Sequence, residues 1–188
     1  MPNSEKVEYT ESMDNLSDVQ LDAEIHRVAS ALQEKHTRAQ KIVKKHMAAT
    51  IPLGLLPLPL VDIAALTATQ LNLIRSLSKV YTFDFDEQKS KAVVTSLVGG
   101  SLPVLMMLGL SSFAKILPGM GTIGGGVSMA VLSGAITYAT GQVFIHHFDR
   151  GGTLEDLDSK QWQGFFKQKF EVGKLQLKMQ LNPKKLPL

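Results

Sequence analysis

Uncharged, apolar residues are concentrated in the middle of this 188-residue chain, with polar sequence on either side. Residues 92–148 contain a single Lys, Arg, Asp or Glu, which is Lys115, next to a Leu-Pro-Gly turn at 117–119. The turn separates two uncharged arms, 92–114 and 116–145. Each arm is long enough to cross a bilayer, since a spanning helix needs about 20 residues. The pattern predicts an all-α membrane protein built around a hydrophobic helical hairpin.

Amphipathic helices are predicted on both sides of this hairpin. Between residues 18 and 49 an apolar stripe with helical spacing is interrupted at Lys35 or His36. Its members are Leu21, Ile25, Val28, Leu32, Ala39, Ile42 and Met47. For this helix, packing within the fold is favoured over a dedicated coiled coil with another helix.

A second amphipathic helix is predicted over residues 158–174, where aromatic residues recur among lysines. Trp162, Phe166 and Phe170 lie at positions i, i+4 and i+8. Two interpretations remain open. The three rings are interfacial anchors of a helix lying in the membrane surface, or the helix packs on the rest of the protein.

An apolar stretch rich in proline, residues 51–60, separates the first helix from a further helix predicted over 61–79. Three prolines and one glycine cannot continue a helix, so we expect a buried turn or an interfacial elbow. Asp62 follows this elbow, and a charge at the bilayer centre costs about 2.5–3.5 kcal/mol on insertion scales. Residues 46–77 are therefore expected to form a shallow hairpin at the membrane surface.

Small residues on the second arm indicate a helix-packing face. Gly126, Ala130 and Gly134 are spaced by four residues, and Gly141 belongs to a second set with the same spacing one face over. Small side chains at this interval let two helix backbones approach closely. We predict that this face contacts the first arm.

The charge pattern sets the predicted domain organisation. Residues 1–17 are acidic and predicted to be disordered, residues 18–174 form the helical membrane-associated domain, and residues 175–188 form a flexible basic tail. Basic residues dominate 26–45 and the chain from 160 onward, as expected beside an anionic cytoplasmic leaflet. The positive-inside rule places both termini in the cytoplasm and the turn outside.

No catalytic signature is recognised in the sequence, and the prediction is a protein that is not an enzyme. The chain has no Cys, which rules out disulfides, a thiolate nucleophile and Cys-ligated metal. The Gly-x-Gly-x-x-Gly pattern at 119–124 follows an apolar arm instead of the strand that a dinucleotide site requires. His146 and His147 are adjacent and point about 100° apart on a helix, so they do not form a metal pair. No catalytic, cofactor or metal site and no nucleic-acid partner is predicted.

Four polar residues in or beside the apolar segments are candidate functional positions: Asp62, Gln70, Arg75 and Lys115. Asp62 is expected to cap the helix that follows the elbow, or else to pair with a buried cation or mark an ion path. Gln70 and Arg75 lie later on the same predicted helix. Lys115 is the distant candidate partner of Asp62.

Three stretches carry a resemblance to a known bacterial family. They are residues 57–81 (PLPLVDIAALTATQLNLIRSLSKVY), which contain Asp62 and Gln70, the loop 116–121 and residues 135–142. Together they resemble domain-of-unknown-function family 697, which includes YcjF-like membrane proteins, over roughly residues 38–152. The resemblance implies a helical module of the bacterial inner membrane that is often fused to, or encoded beside, a GTPase domain. This chain has no Gly-x-x-x-x-Gly-Lys-Ser/Thr phosphate loop, so nucleotide chemistry would belong to a partner.

Three functions remain open at the level of sequence. The leading hypothesis is a non-enzymatic inner-membrane protein that anchors or regulates a GTPase or another protein partner. The alternative is a soluble helical bundle whose buried hairpin inserts into membranes, as in pore-forming toxin domains. An enzyme or transporter is the third, although two strong arms are few for a transporter unless the chain forms a homo-oligomer. The expected partners are thus the lipid bilayer, a GTPase or other protein, and further copies of the chain.

Overall fold

The computed structural model describes residues 18–53, 59–109 and 122–181, and within them the chain is built from α-helices. The helices are α1 (Asp18–Leu53), α2 (Pro59–Tyr81), α3 (Glu87–Gly109), α4 (Thr122–Phe148) and α5 (Ser159–Leu181). The predicted all-α class is confirmed. The proline-rich stretch ends α1 at Leu53 and Pro59 opens α2, where the missing proline N–H costs no hydrogen bond.

The chain divides into two compact units, and the first, Met1–Thr37, contains the N-terminal half of α1. In this half the apolar stripe is not covered: Ile25 is 50%, Val28 43% and Leu32 56% exposed. The prediction that the stripe packs within the fold is wrong for these three residues. No side chain of the described structure removes them from water.

The second unit, Arg38–Leu188, holds the rest of α1 and the other four helices. Contacts with α4 give the direction of each helix. α5 runs antiparallel to α4, because a Cβ placed on Gly134 would lie 2.5 Å from Leu177 near the end of α5. At the opposite end of α4, the His146 ring lies 5.5 Å from that of Trp162, near the start of α5.

The remaining helices continue this alternation. α2 runs parallel to α4, since Gln70 bonds Thr137 in the middle of the pair and Tyr81 meets Phe148 where both helices end. α1 runs antiparallel to α4, because Gln40 bonds Gln142 while the later Thr50 lies beside the earlier Gly134. α3 runs parallel to α5, because Ser159 donates to Ser96 and, four residues later on both helices, Gly100 lies beside Gln163. The five helices therefore point alternately up and down.

The core of the second unit is centred on α4. Residues 130–148 of α4 are buried or half-buried at every position. A helix that is apolar on all sides must be shielded from water on all sides. Here α1, α2, α3 and α5 pack around α4 and shield it. The largest fully buried side chains of the core include Phe144, Ile145, Phe166, Phe170, Leu73, Ile74, Leu77 and Leu97.

The alternation sorts the links between helices onto two ends of the unit. At the apolar end, α1 and α3 end and α2 and α4 begin, and the sequences between them, 54–58 and 110–121, contain a single charged residue, Lys115. At the charged end, links 82–86 and 149–158 join α2 to α3 and α4 to α5. These two links contain seven charged residues, namely Asp84, Asp86, Asp149, Arg150, Glu155, Asp156 and Asp158.

Two segment boundaries differ from the sequence prediction. The predicted elbow 51–60 is shorter than expected, because residues 51–53, with Pro52, are the end of α1 and residues 59–60 are the start of α2. α5 continues to Leu181, so residues 175–181 are helical and the predicted tail is wrong over that stretch. The reason is that Leu177 extends the buried row of Phe166, Phe170 and Gly173 by one more turn, and that contact holds the helix together. The predicted disordered segment 1–17, the turn at 117–119 and tail residues 182–188 lie outside the described residues.

The two predicted arms fall on α3 and α4. In the part of the chain that the structure describes, no helix combines enough length with enough apolarity to cross a membrane. Placement of the arms in a bilayer stays a prediction.

Candidate functional site: a polar seam and two unlike ends

A row of polar side chains, the polar seam, crosses the core where α2 and α1 meet α4. Gln70 on α2 is 1% exposed and donates from Nε2 to Thr137 Oγ1 at 2.9 Å. The Thr137 hydroxyl in turn donates to the Ser133 carbonyl oxygen at 2.9 Å. Because Thr137 already uses its proton, it can only accept from Gln70, which fixes the orientation of the amide. Gln70, predicted as a functional polar position, is a core residue that joins two helices.

Two buried side-chain oxygens, Gln70 Oε1 of the seam and Thr140 Oγ1 on α4, have no hydrogen-bond partner among the described residues. An unsatisfied polar atom in a core costs about 1–3 kcal/mol. The seam therefore makes the core less stable than an apolar equivalent would be. Its structural effect is on register, since a hydrogen bond is satisfied in one alignment of two helices and lost in others.

A second part of the seam joins α1 to α4. Gln40 and Gln142 exchange hydrogen bonds, from Gln40 Nε2 to Gln142 Oε1 at 3.2 Å and from Gln142 Nε2 to Gln40 Oε1 at 2.7 Å. Sequence reasoning did not single out either residue. Gln142 offered a signal, because it is a polar residue within an uncharged arm. Gln40 did not, because its neighbours along the chain are mostly polar.

The chemistry of the seam is limited to hydrogen bonding. Its side chains are neutral amides and hydroxyls, which neither gain nor lose a proton near neutral pH. Such groups hold helices in position but do not provide a general acid or base. Across residues 18–53, 59–109 and 122–181, no group of three His, Cys, Asp or Glu is placed to hold a metal ion.

Arg75, the second described candidate on α2, lies at the surface. Its guanidinium carbon is 4.7 Å from the centre of the Phe85 ring, and Nη2 is 3.9 Å from a carboxylate oxygen of Glu87. Both side chains of this ion pair are more than half exposed, so the pair contributes little to stability. Arg75 tethers the start of α3 to α2, while Gln70 faces the core, so the two candidates do not form one site.

The remaining polar candidates have no described side-chain contacts. Asp62 is the fourth residue of α2, because the helix begins at Pro59, so it lies inside the first turn instead of at the expected cap. Lys115 lies outside the described residues, and the proposed pairing of Asp62 with Lys115 stays a prediction. Gly126 falls within α4, and its surroundings also lie outside the described part.

Small residues of α4 lie at close helix contacts, but with other neighbours than the predicted first arm. Ala130 is fully buried. A Cβ on Gly134 would overlap Leu177 of α5, and one on Gly141 would lie 2.8 Å from Cγ1 of Val43 on α1. These two glycines let α5 and α1 approach the central helix.

The aromatic residues of α5 pack inside the unit. Phe166 and Phe170 are buried in the core, and Trp162 is half-buried beside His146 and His147. The sequence left two interpretations open for this helix. In the structure the helix packs on the rest of the protein. Both histidines belong to the same aromatic cluster, in which His146 stacks on Phe165 at 4.7 Å.

At the charged end, the turn between α4 and α5 is held by hydrogen bonds among its own polar groups. α4 ends in a Schellman motif, in which Gly151 (φ 78°) donates to the Phe148 carbonyl at 3.0 Å and Gly152 donates to that of His147 at 3.1 Å. The next residue, Thr153, donates from its backbone N–H and its hydroxyl to Asp156 at 2.6 and 2.9 Å. The backbone hydrogen bond lowers the pKa of the Asp156 carboxyl.

Side-chain pairs connect this turn to α2 and α3. Tyr81 donates to Asp149 at 2.6 Å, and its burial raises the pKa of the Tyr81 hydroxyl. Lys89 on α3 pairs with Glu155, and this hydrogen bond raises the pKa of the ammonium group. The charged end is thus a polar surface held in shape by its own contacts.

Comparison with known proteins gives one family match and one curated relative. The sequence model of the family described as Domain of unknown function (DUF697) matches residues 20–174. Magnetosome membrane protein 22 of Magnetospirillum gryphiswaldense is 36% identical over 137 residues, which are 72% of this chain and 70% of that protein. No solved structure matches the chain at a significant level.

Proposed function

The chain belongs to the family described as Domain of unknown function (DUF697), and we propose that it is a non-enzymatic protein that associates with a membrane through the apolar end of its helical unit. The name of the related magnetosome membrane protein supports the membrane part of this proposal. The neutral chemistry of the polar seam supports the non-enzymatic part.

The observation that carries the proposal is the difference between the two ends. All four links of the second unit are sorted by composition: the two at one end have seven charges, and the two at the other have Lys115 alone. Transfer of apolar side chains from water to the acyl boundary is favourable by about 0.8 kcal/mol per buried CH₂. The sequences of the two links at the apolar end contain large apolar residues, among them Leu55, Leu56, Ile116 and Leu117. The apolar end is therefore the end that gains from contact with lipid.

Basic residues near the apolar end add an electrostatic contribution. α5 ends there with Lys178 in its last turn, and Lys184 and Lys185 follow in the sequence. A Lys or Arg near an anionic membrane surface contributes about 1 kcal/mol to binding. We expect binding to anionic vesicles to be tighter than binding to neutral ones, and to weaken with salt.

Attachment by one end leaves the charged end facing water, where we place the protein partner. The family resemblance suggests a GTPase for that partner. A bacterial inner-membrane location with both termini cytoplasmic is compatible with this arrangement, because attachment by one end requires no segment to cross the bilayer.

Vesicle flotation with the full-length protein tests the attachment. Leu55→Glu with Leu117→Glu places two charges in the apolar links, and Gln88→Glu with Gln161→Glu places the same two charges at the charged end. We expect the first variant to lose at least about tenfold in vesicle binding, given several kcal/mol for two charges in an apolar environment, and the control to bind as the wild type does. Equal binding by both variants overturns the proposal.

A dye-release assay on the same vesicles separates attachment from the alternative function. The burial of residues 130–148 inside the unit is also what a hairpin stored for insertion would require. Attachment by one end leaves the vesicles sealed, whereas insertion of the hairpin as a pore former releases the dye. Release at protein levels that merely saturate binding would favour the pore-forming alternative.

A further inference from the structure

The N-terminal half of α1 carries an apolar seam that the described structure leaves open. Leu21, Ile25, Val28 and Leu32 follow one another at intervals of four, three and four residues. This is the spacing of the d and a positions of a coiled coil, in which the apolar row of one helix meets that of another. The last three are roughly half exposed. We propose that this seam binds the same seam of a second copy of the chain, with the two helices antiparallel.

The register of the antiparallel pair follows from matching apolar to apolar residues. In the best register, the residue numbers of any two facing residues sum to 53. Leu21 then faces Leu32 of the second copy, and Ile25 faces Val28. The twofold symmetry of the pair repeats each of these contacts once. All four apolar positions of each helix are then used. Sliding one helix by a heptad places Lys35 against Ile25 and loses apolar layers.

The flanking layers of this register decide between antiparallel and parallel pairing. In the antiparallel pair the next layer at each end places Asp18 opposite Lys35, because 18 and 35 also sum to 53. A parallel pair would place Lys35 against Lys35 and Asp18 against Asp18. Opposite charges at adjacent positions stabilise helix pairs and like charges destabilise them, so charge selects the antiparallel arrangement. The same arrangement sets the two helix dipoles in opposite directions.

The size of the seam sets the expected strength. Two heptads with four apolar residues bury less surface than the 1,200–2,000 Å² or so of a stable interface. The dimer is therefore weak in dilute solution and becomes populated at high local concentration, such as on a surface to which the chain is bound. The proposal itself rests on the seam and its charges, and not on the proposed membrane attachment.

Disulfide trapping tests the register cleanly, because the chain contains no Cys of its own. Full-length Leu21→Cys protein is mixed with full-length Leu32→Cys protein that carries a heavy-isotope label, and the disulfides formed under mild oxidation are identified by mass spectrometry. We expect the mixed disulfide between positions 21 and 32 to exceed both symmetric disulfides. A predominance of symmetric disulfides indicates a parallel pair and overturns the proposal. Yields no higher than those of the control below also overturn it, and leave the seam to a different protein.

A matched control uses the outer face of the same helix. The residue numbers of the control pair, Ala23→Cys and Ser30→Cys, also sum to 53. Both residues are exposed and occupy heptad position f, on the side of the helix away from the seam. This pair reports collisional crosslinking and should give a low yield with no preference for the mixed disulfide.

Charge exchange provides the second test, with the Leu21→Cys and Leu32→Cys pair as reporter. Asp18→Lys or Lys35→Asp alone creates a like-charge layer at each end and should lower the yield of mixed disulfide by about fivefold, as expected for two surface pairs. The double variant Asp18→Lys, Lys35→Asp should restore it. A double variant that stays as low as either single variant contradicts the charge-selected register, and unchanged far-UV circular dichroism confirms that each variant is folded.

Discussion

The two halves of α1 have similar apolar stripes and opposite surroundings. In the first half Ile25, Val28 and Leu32 are about half exposed, whereas in the second half Ala39 and Val43 are completely buried. The second half meets α4 at Gly141, where the absence of a side chain brings the two helices together. Amphipathic spacing therefore shows that a helix has an apolar face. Small residues on a neighbouring helix show where that face is buried against another helix.

The largest expected effect comes from filling the gap at Gly141. Gly141→Leu places a side chain where Val43 already lies, and overpacking of a tight core costs about 1–3 kcal/mol or more. We expect the melting temperature to fall by several degrees or the protein to be insoluble. Adding Val43→Ala should recover part of the loss by making room. Measurement is by thermal denaturation, and a Gly141→Leu protein as stable as the wild type contradicts the described contact.

A matched pair of substitutions compares the two halves directly. Val43→Ala removes two methyl groups from a fully buried site and should destabilise the protein by about 2 kcal/mol, including the cavity left behind. Val28→Ala makes the same chemical change at a half-exposed site and should cost less than about 0.5 kcal/mol. Urea denaturation at low protein concentration measures both. Equal losses would mean that Val28 is covered in the monomer.

An effect smaller than those at Gly141 and Val43 is expected at the polar contact of the buried half. Gln40→Leu removes the partner of Gln142 and leaves its buried amide unsatisfied, at a cost of about 1 kcal/mol. Replacing both residues by Leu should recover most of that loss, because neither amide of the pair is then left without the other. A double-mutant cycle by urea denaturation gives the coupling, and additive losses would show that the two amides act independently.

Much of the architecture could be predicted from the sequence. Helical spacing and the prolines at 52, 57 and 59 locate α1, the break and α2 within a few residues, because these are local properties of the chain. α5 was predicted too short, since the buried Leu177 lies beyond Lys174, where basic residues mask the apolar row.

The surroundings of α4 could not be predicted in the same way. An uncharged helix is compatible with cover by lipid or by other helices, and only the three-dimensional contacts of residues 130–148 show the helices that cover it. Of the candidate polar positions, Gln70 stood out because polar residues are rare in such a segment. Gln40 became important only through its contact with Gln142, which is 102 residues away in sequence.

The dependence of α4 on α5 has a consequence for synthesis. α5 follows α4 in the chain, and it covers α4 from Gly134, which meets Leu177, to His146, which meets Trp162. Because residues 159–181 are synthesised after α4, this apolar helix exists in the growing chain before the helix that covers it. During that interval any other apolar phase that the nascent polypeptide meets, a bilayer included, can compete with α5 for the same surface of α4.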